Sequence, residues 1–162
     1  MAIQSTALDH VGVAVPDLDA AITFYTETLG GRLVHRETNR EQGVDEAMIA
    51  FGPGPGGAQV QLLAPLTPES TIAKFLDRSG PGLQQLALRV DDVRAAAESA
   101  RSAGIRTLYE TPRRGTAGSS INFLHPKDAG GVLLELVQPA STHEDSGVAS
   151  ASSAHPSGTM GQ

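Results

Sequence analysis

The sequence predicts an α+β fold in which two paired βαβββ modules form one curved sheet around a shared concave face. A repeat is the main evidence: LDHVGVAVPDLDAAITFYTETLGG (8–31) and LQQLALRVDDVRAAAESARSAGI (83–105) both combine an alternating strand, an Asp-led helix start and a Gly-closed amphipathic helix. Past the helices, VQLLAP (60–65) aligns with LELVQP (134–139). Two strand-like runs separate each helix from its closing strand, which completes βαβββ in each half.

Local signals predict the elements of the first module, residues 1–66, in chain order. Asp17 after the first strand predicts a helix N-cap, and Gly30 predicts the end of that helix. RLVHRE and EAMIAFG are strand-like runs of the right length. GPGPGG (52–57) predicts a hairpin turn that leads into the closing strand.

The second module, residues 82–140, follows a linker at residues 67–81. TPESTIAKFLDRSG predicts a short linker helix with Ser70 as its N-cap. In the second module, Asp92 is the predicted N-cap and Gly104 the predicted stop of the helix. TLYETP and INFLHP predict the two inner strands of this module.

Composition restricts the class of protein. The chain has 162 residues, of which 40% are hydrophobic, and its formal net charge of −6 argues against nucleic acid as a partner. No apolar run approaches the roughly 18 residues of a membrane span, so no membrane partner is expected. The absence of cysteine excludes disulfide and thiolate chemistry, and the N-terminus lacks a signal-peptide pattern, so we expect a cytoplasmic protein.

The C-terminal segment, residues 141–162, differs in composition from the rest of the chain. It is rich in Ser, Ala and Gly and has no hydrophobic period. Such a segment buries too little apolar surface to offset its ordering entropy, so we expect a disordered tail. His143 and His155 in this tail are expected to have no role.

Four polar residues interrupt apolar strands at positions that the repeat relates: His10, Gln61, Gln85 and Glu135. A strand histidine alone is more often structural than a ligand, and strand glutamines usually face water. Glu135 between two leucines is stronger evidence, because buried unpaired carboxylates are rare. Agreement of all four with the repeat favours a divalent-metal site, with Gln85 as a ligand and Gln84 on the opposite face, solvated or hydrogen-bonded.

Four longer stretches carry a resemblance to a known family: LDHVGVAVPDLDAAITFY, EQGVDEAMIAFG, QLLAPLTPESTIAKFLDRSGPGL and LYETPRRGTAGSSINFLHPKDAGGVLLELV. Through them the chain resembles the vicinal oxygen chelate superfamily, which includes glyoxalase I and extradiol dioxygenases. Within that superfamily it is most similar to the methylmalonyl-CoA epimerases. The resemblance extends from about Leu8 to Pro139.

The resemblance implies a divalent ion, commonly cobalt, bound by the four polar residues of the repeat. Many family members have two histidines where this chain has Gln84 and Gln85. One nitrogen and three oxygen donors form a harder set, which favours cobalt, manganese or magnesium over zinc. A homodimer is also expected, since members of the superfamily often pair.

The implied reaction is epimerisation at C2 of methylmalonyl-CoA, whose proton lies between a thioester and a carboxylate. Inversion needs one base on each face of a metal-stabilised enolate. The resemblance puts one base on Glu46, in EQGVDEAM, and the other on Glu135, which would also be a metal ligand. From spacing alone, a solvated strand-edge carboxylate is an equally good interpretation of Glu46. A metal-bound carboxylate is also a poor base unless its bond to the metal loosens.

The loop PRRGTAGSSINFLHPK (112–127) is the predicted substrate-binding segment. It concentrates basic and hydroxyl side chains that suit a carboxylate and the CoA phosphates: Arg113, Arg114, Ser119, Ser120 and Lys127. The alternative is a solvent-exposed basic turn. His35 and His125 belong to no motif.

Two other functions stay open. A glyoxalase-like enzyme also moves a proton through an enediolate, whereas the two glutamines argue against an oxygen-activating iron site. The other is a small-molecule-binding protein of the same fold without turnover. Competent groups at all five implied metal and base positions favour catalysis.

Overall fold

The computed structural model describes residues 2–54 and 57–141. The strands are β1 Ser5–Ala14, β2 Arg32–Asn39, β3 Val44–Ala50, β4 Gln59–Pro65, β5 Gly82–Val90, β6 Arg113–Arg114, β7 Ser120–Leu124 and β8 Leu134–Gln138. They form one curled sheet in the order β2-β3-β4-β1-β5-β8-β7-β6. The helices are α1 Leu18–Thr23, extended by a π-helical segment Phe24–Thr28, α2 Thr71–Ser79 and α3 Val93–Ser102. The predicted α+β fold class is confirmed.

The two modules meet in the middle of the sheet. Strand β1 pairs in parallel with β4 of its own module and antiparallel with β5 of the other. Strand β5 in turn pairs in parallel with β8. The first and last strands of each module are therefore central, and the concave face above them is where their polar side chains gather.

Side-chain caps fix the three α-helices where the sequence predicts them. The Asp17 carboxylate accepts a hydrogen bond from the backbone N–H of Ala20, and the Ser70 hydroxyl accepts one from that of Ala73. The Asp92 carboxylate accepts two, from the first turn of α3. Gly104 ends α3 with a φ of +81°, a left-handed conformation that glycine adopts without a Cβ penalty.

Apolar clusters join the helices to the sheet. In the first module Leu18 of α1 packs in a cluster with Ile49 and Leu62 on the convex face. In the second, Val93 of α3 packs in a cluster with Leu136 on the same face. Helix α2 instead packs through its own apolar cluster on the concave face, beside the polar residues.

The predicted strand TLYETP is wrong. Only a single bridge, between Thr107 and Leu124, forms there, and the short strand β6 begins after Pro112. Side chains replace the strand ladder: Arg101 donates to the carbonyls of Tyr109 and Glu110 at 3.2 and 2.7 Å. This segment is consequently a clamped loop that places Tyr109 near the concave face.

Asn122 is the second clamp on this loop, and its loss is expected to destabilise the fold. Its fully buried side chain accepts from Tyr109 N at 3.2 Å and donates to Tyr109 O at 3.0 Å. Because Asn122→Ala leaves these backbone groups unpaired, we expect a loss of about 3 kcal/mol in chemical denaturation. Ser120→Ala on the same strand is the control, with a change below about 0.5 kcal/mol. Equal stability of both variants would contradict this role.

Other sequence predictions have mixed outcomes. Strands β3 and β4 pair antiparallel, and Phe51 N donates to Ala58 O at 2.9 Å, so the predicted hairpin is confirmed. Among the described residues, no helix is long and apolar enough to cross a membrane. From residue 142 onward the predicted tail lies outside the described residues, as do its two histidines. The module boundaries stay predictions.

Candidate active site

The four polar residues that the repeat relates lie together on the concave face: His10, Gln61, Gln85 and Glu135. None of them is more than 9% exposed. Gln85 Nε2 donates to Gln61 Oε1 at 3.1 Å and to the Glu135 carboxylate. His10 Nε2 lies 3.3 Å from Glu135 Oε2 and 3.5 Å from Gln85 Nε2. The structure thus brings all four side chains together, as the repeat predicts.

Strand register explains why they converge. Gly12 of β1 lies between its strand partners Gln61 of β4 and Gln85 of β5. A Cβ on Gly12 would come within 3.0 Å of Gln85 Cδ and closer still to Cγ, so only glycine leaves room for the amide. One row along, Ala87 of β5 similarly separates the other two members of the cluster.

The prediction that Gln84 is solvated or hydrogen-bonded is wrong for its amide oxygen. A register shift in β5 opposite Gly12 and Val13 makes Gln84 the extra residue of a bulge. Its Oε1 is buried and has no hydrogen-bond partner among the described residues. Both Gln84 and Gln85 consequently line the same cavity.

Asp9 orients His10, and sequence reasoning missed it. A second register shift in β1 puts Asp9 beside its neighbour, and its Oδ1 lies 2.7 Å from His10 Nδ1. Arg89 donates to the other Asp9 oxygen at 2.9 Å. Burial lowers the pKa of His10, but Asp9 and Glu135 outweigh it and raise the pKa to about 9. The only signal in the sequence is the adjacency of the two residues.

Glu46 of β3 is 2% exposed, so it is not a solvated strand-edge carboxylate. Thr116 Oγ1 donates to its Oε1 at 2.8 Å, and Gln61 Nε2 donates to its Oε2 at 2.9 Å. Burial raises the pKa of Glu46 to about 7, and the nearby Glu37 carboxylate adds to the rise, against the hydrogen bond from Thr116. Glu46 is therefore a carboxylate of increased basicity, held at both oxygens and facing the four-residue cluster.

Thr116 links the two modules at the site, and no sequence signal pointed to it. It lies in a 3₁₀ turn, Thr116–Gly118, and Gln61 Nε2 is 2.6 Å from its hydroxyl. Because it contacts both Glu46 and Gln61, it fixes the distance between the predicted base and a predicted metal ligand. It is the member of the basic loop that reaches Glu46.

Two adjoining cavities open beside Gln85 of the cluster. The inner one, about 200 Å³, is lined by Glu46, Glu135, Gln42, Gln84 and apolar residues. Gln42 Nε2 and Gln84 Oε1 are buried without a hydrogen-bond partner among the described residues. The outer one, about 820 Å³, shares Gln84 with it and extends to Lys74 and Arg78 on α2. An elongated ligand would therefore have its reactive end among carboxylates and its far end near positive charge.

The five predicted substrate-binding residues lie outside the inner cavity. Arg113 and Arg114 are exposed on β6, and the Arg113 guanidinium stacks 4.1 Å from the ring centroid of Tyr109. Ser119 is buried and lines a third cavity, of about 370 Å³, which His10, Thr116 and Glu135 also line. Ser120 is half-buried on β7, and Lys127 is exposed. Their roles stay predictions.

The cluster fits a divalent ion, with amide oxygens as essential donors. Among residues 2–54 and 57–141, no three His, Cys, Asp or Glu side chains gather at metal-ligand spacing. Gln61 Oε1 already faces the cluster, and a half-turn of the Gln85 amide would present its oxygen where its nitrogen lies. With Nδ1 held by Asp9, His10 presents Nε2 inward, the usual arrangement of metal-binding histidines.

A curled sheet of two βαβββ modules with polar residues on its concave face is the architecture of one protein superfamily. A model of the glyoxalase/bleomycin resistance protein/dioxygenase superfamily matches residues 9–123 of this chain. The matched region begins within β1 and ends within β7, so it includes β2 to β5 and most of the second module.

Similar proteins within this superfamily identify the family to which the chain belongs. A crystal structure of methylmalonyl-CoA epimerase from Mycobacterium tuberculosis is 60% identical, with a TM-score of 0.81, covering 86% of this chain and 91% of that one. A methylmalonyl-CoA epimerase in complex with methylmalonyl-CoA and ammonium is 45% identical, with a TM-score of 0.81, covering 85% and 97%. The mitochondrial methylmalonyl-CoA epimerase of Homo sapiens is 38% identical over 132 residues, which are 81% of this chain and 73% of that protein. The chain therefore belongs to the superfamily and, within it, to the methylmalonyl-CoA epimerases, which are isomerases.

Proposed function

We propose that this protein is a metal-dependent epimerase that interconverts (2R)- and (2S)-methylmalonyl-CoA by proton transfer at C2. The observation that carries the proposal is the buried Glu46, held at both oxygens beside a cluster of metal-compatible side chains. A carboxylate whose pKa is raised to about 7 accepts a proton from carbon better than an ordinary one.

The residues of the site have different roles in the proposed reaction. His10, Gln61, Gln85 and Glu135 would hold a divalent ion, which would supply Lewis-acid stabilisation of the negative charge that develops on the substrate; cobalt, manganese or magnesium suits this donor set. Glu46 removes the C2 proton from one face. Thr116 and Gln61 keep the Glu46 carboxylate aimed at the cavity through their hydrogen bonds.

Glu135 is the proposed base on the opposite face. It lines the same inner cavity as Glu46, and the two carboxylates are close enough for Glu135 to contribute to the raised pKa of Glu46. When Glu46 takes the proton of one epimer, Glu135, which starts this direction protonated and not bound to the ion, delivers a proton to the other face. The reverse reaction exchanges these roles, so each turnover leaves one carboxyl group with a proton gained and the other with one lost.

The adjoining cavities suit the rest of the substrate. The inner cavity accommodates the malonyl unit, and the mainly apolar outer cavity accommodates the pantetheine arm. The unpaired Gln42 Nε2 and Gln84 Oε1 offer one donor and one acceptor to the polar groups of that substrate.

Gln84→Leu is expected to weaken substrate binding while it stabilises the fold. Removing a buried acceptor that has no partner among the described residues raises the free energy of unfolding by about 1 kcal/mol. Losing its hydrogen bond to substrate raises KM about tenfold and leaves kcat unchanged. Denaturation curves and initial rates measure the two effects, with Gln4→Leu at an exposed position as control. A normal KM would remove Gln84 from substrate binding.

Two groups of basic residues are candidates for binding the CoA phosphates. Lys74 and Arg78 lie at the outer cavity, whereas the predicted Arg113 and Arg114 lie on β6. We expect the double variant Lys74→Gln/Arg78→Gln to raise KM for methylmalonyl-CoA about tenfold, with methylmalonyl-pantetheine unaffected. The matched double variant at Arg113 and Arg114 is the comparison. A selective rise there instead would place the phosphates along the basic loop.

The proposed function is tested by deuterium incorporation at C2 of methylmalonyl-CoA in heavy water. Protein stripped of metal and then given cobalt, manganese or magnesium is followed by NMR. Metal-dependent exchange with interconversion of the epimers is the expected result. Binding without exchange in any metal would favour a non-catalytic protein, and isomerisation of a glutathione hemithioacetal instead would favour a glyoxalase. Light scattering tests the proposed homodimer.

A further inference from the structure

Glu46 must exchange a proton with water in every catalytic cycle, yet it is 2% exposed. The need for exchange follows from the proposed two-base epimerisation, so this inference rests on the proposed function. The low exposure of Glu46 holds with the inner cavity empty, so little water reaches its carboxylate even after product has left. Of its hydrogen-bonded neighbours, the Gln61 amide does not ionise near neutral pH, and the Thr116 hydroxyl already donates to Glu46.

A second carboxylate lies directly across the β2–β3 pairing. Glu37 of β2 is the strand partner of Glu46, so both side chains lie on the same face of the sheet, close enough for each carboxyl group to shift the pKa of the other. Burial raises the pKa of Glu37, but hydrogen bonds from His35 and from the backbone of Ala117 outweigh burial and lower it. Glu37 is therefore an ionised carboxylate beside Glu46 and can accept its proton.

His35 connects Glu37 to solvent. Its Nε2 lies 2.5 Å from Glu37 Oε2, and Ala117 N donates to the same oxygen at 3.1 Å. The His35 side chain is 36% exposed, against 17% for Glu37, and it lines the third cavity. The three side chains thus lead stepwise from a buried carboxyl group to a side chain in contact with water.

We propose that Glu37 and His35 form the proton path between Glu46 and bulk water. After abstraction at C2, the Glu46 proton passes to the Glu37 carboxylate. His35 then moves its ring proton from Nε2 to Nδ1 by exchange with water, and the freed Nε2 accepts the proton of Glu37. Release of the Nδ1 proton to water restores the starting tautomer. The net step transfers one proton from Glu46 to water, without any change of oxidation state.

The charged groups around the path are few. Glu46 faces Glu37 from β2 and Glu135 from β8, and Glu37 faces His35 from its own strand and Glu46 from β3. The neighbouring carboxylate, Asp45, alternates to the other side of β3 and bonds Arg36 at 3.4 Å. Asp45→Asn is therefore a matched control: a carboxylate-to-amide change on the same hairpin and outside the path.

The test is steady-state epimerisation by the metal-loaded protein. His35→Ala is expected to slow only the return of Glu46 to its ionised form after product release. In that case kcat and KM fall together by about tenfold and kcat/KM is retained. Glu37→Gln is expected to lower kcat in the same way, and Asp45→Asn to behave as wild type. Imidazole in the buffer is expected to restore kcat of His35→Ala by replacing the lost ring, and to leave wild type unchanged.

The outcomes separate this inference from the proposed function. An unchanged kcat in both path variants would overturn the path, as would a kcat that falls without responding to imidazole, because a merely structural defect is insensitive to buffer. If wild-type protein fails to exchange the C2 proton at all, the proposed function itself fails. Should Glu37→Gln not fold, the half-exposed His35 still provides the test.

Discussion

Glu46→Gln is expected to lower kcat/KM for epimerisation by about 10²–10⁴-fold, the usual contribution of a general base. The glutamine amide oxygen can still accept the hydrogen bond from Gln61 and its nitrogen can donate to the Thr116 hydroxyl, so the cavity keeps its shape, but the amide cannot take a proton from carbon. Thermal unfolding and cobalt titration are expected to resemble wild type. Glu41→Gln, an exposed carboxylate in the preceding turn, is the control and should retain full activity.

Isotope exchange distinguishes the loss of one base from a general loss of activity. With Glu135 intact, the variant should still exchange the C2 proton of one epimer in heavy water, without inversion. The other epimer, whose proton faces position 46, should exchange slowly. Equal exchange of both epimers, or near-wild-type turnover, would remove Glu46 from the mechanism. Loss of exchange for both would mean that Glu135 is not an independent base.

Gly12→Ala is expected to have the second large effect, although residue 12 has no side chain in the site. The added methyl group occupies the space of Gln85 Cγ and Cδ, so the amide must leave the cluster. We expect cobalt affinity to fall by about 100-fold, as for loss of a ligand or its support, and epimerisation to fall with it. The stability cost of the crowding is about 1–3 kcal/mol.

A double-mutant cycle separates displacement of Gln85 from general damage to the sheet. In Gln85→Ala the space above Gly12 is empty, so adding Gly12→Ala should cause little further loss of metal affinity. Isothermal titration of the two single variants and the double variant measures the coupling. Additive losses would show that the alanine acts through the backbone, and wild-type affinity in Gly12→Ala would show that Gln85 is not a ligand.

Much of the fold and the central cluster was predictable because the repeat carries the information. Asp17, Ser70 and Asp92 are local caps, and their effect depends on neighbours within three residues. His10 and Glu135 emerge from aligning the modules, since equivalent strands lie side by side in the sheet. Neither inference requires knowledge of loop paths or of strand irregularities.

Strand irregularities explain several of the misses. The bulges at Asp9 and Gln84 change where these side chains point, and strict alternation assigns both to the wrong surroundings. Glu37 was overlooked because its partnership with Glu46 depends on the exact register of the β2–β3 hairpin. The alternating pattern of a strand does not reveal that register.

The basic loop (112–127) shows a second reason why the sequence alone did not reveal every site residue. Its charge is visible in the sequence, so Arg113 and Arg114 drew attention, but both lie on the exposed edge strand. The walls of the inner cavity instead include Gln42, from the turn before β3, and Thr116. Which side chains line a cavity depends on how distant segments pack, and neither residue type signals that packing.

The central pairing of β1 with β5 makes the site a property of two half-molecules. Each module contributes two members of the cluster, His10 and Gln61 from one and Gln85 and Glu135 from the other. Neither half contains a complete donor set, so neither alone has a chelating centre. A chain cut in the linker between the modules would regain its centre only by reassociation of the two fragments, and cobalt binding would report that complementation directly.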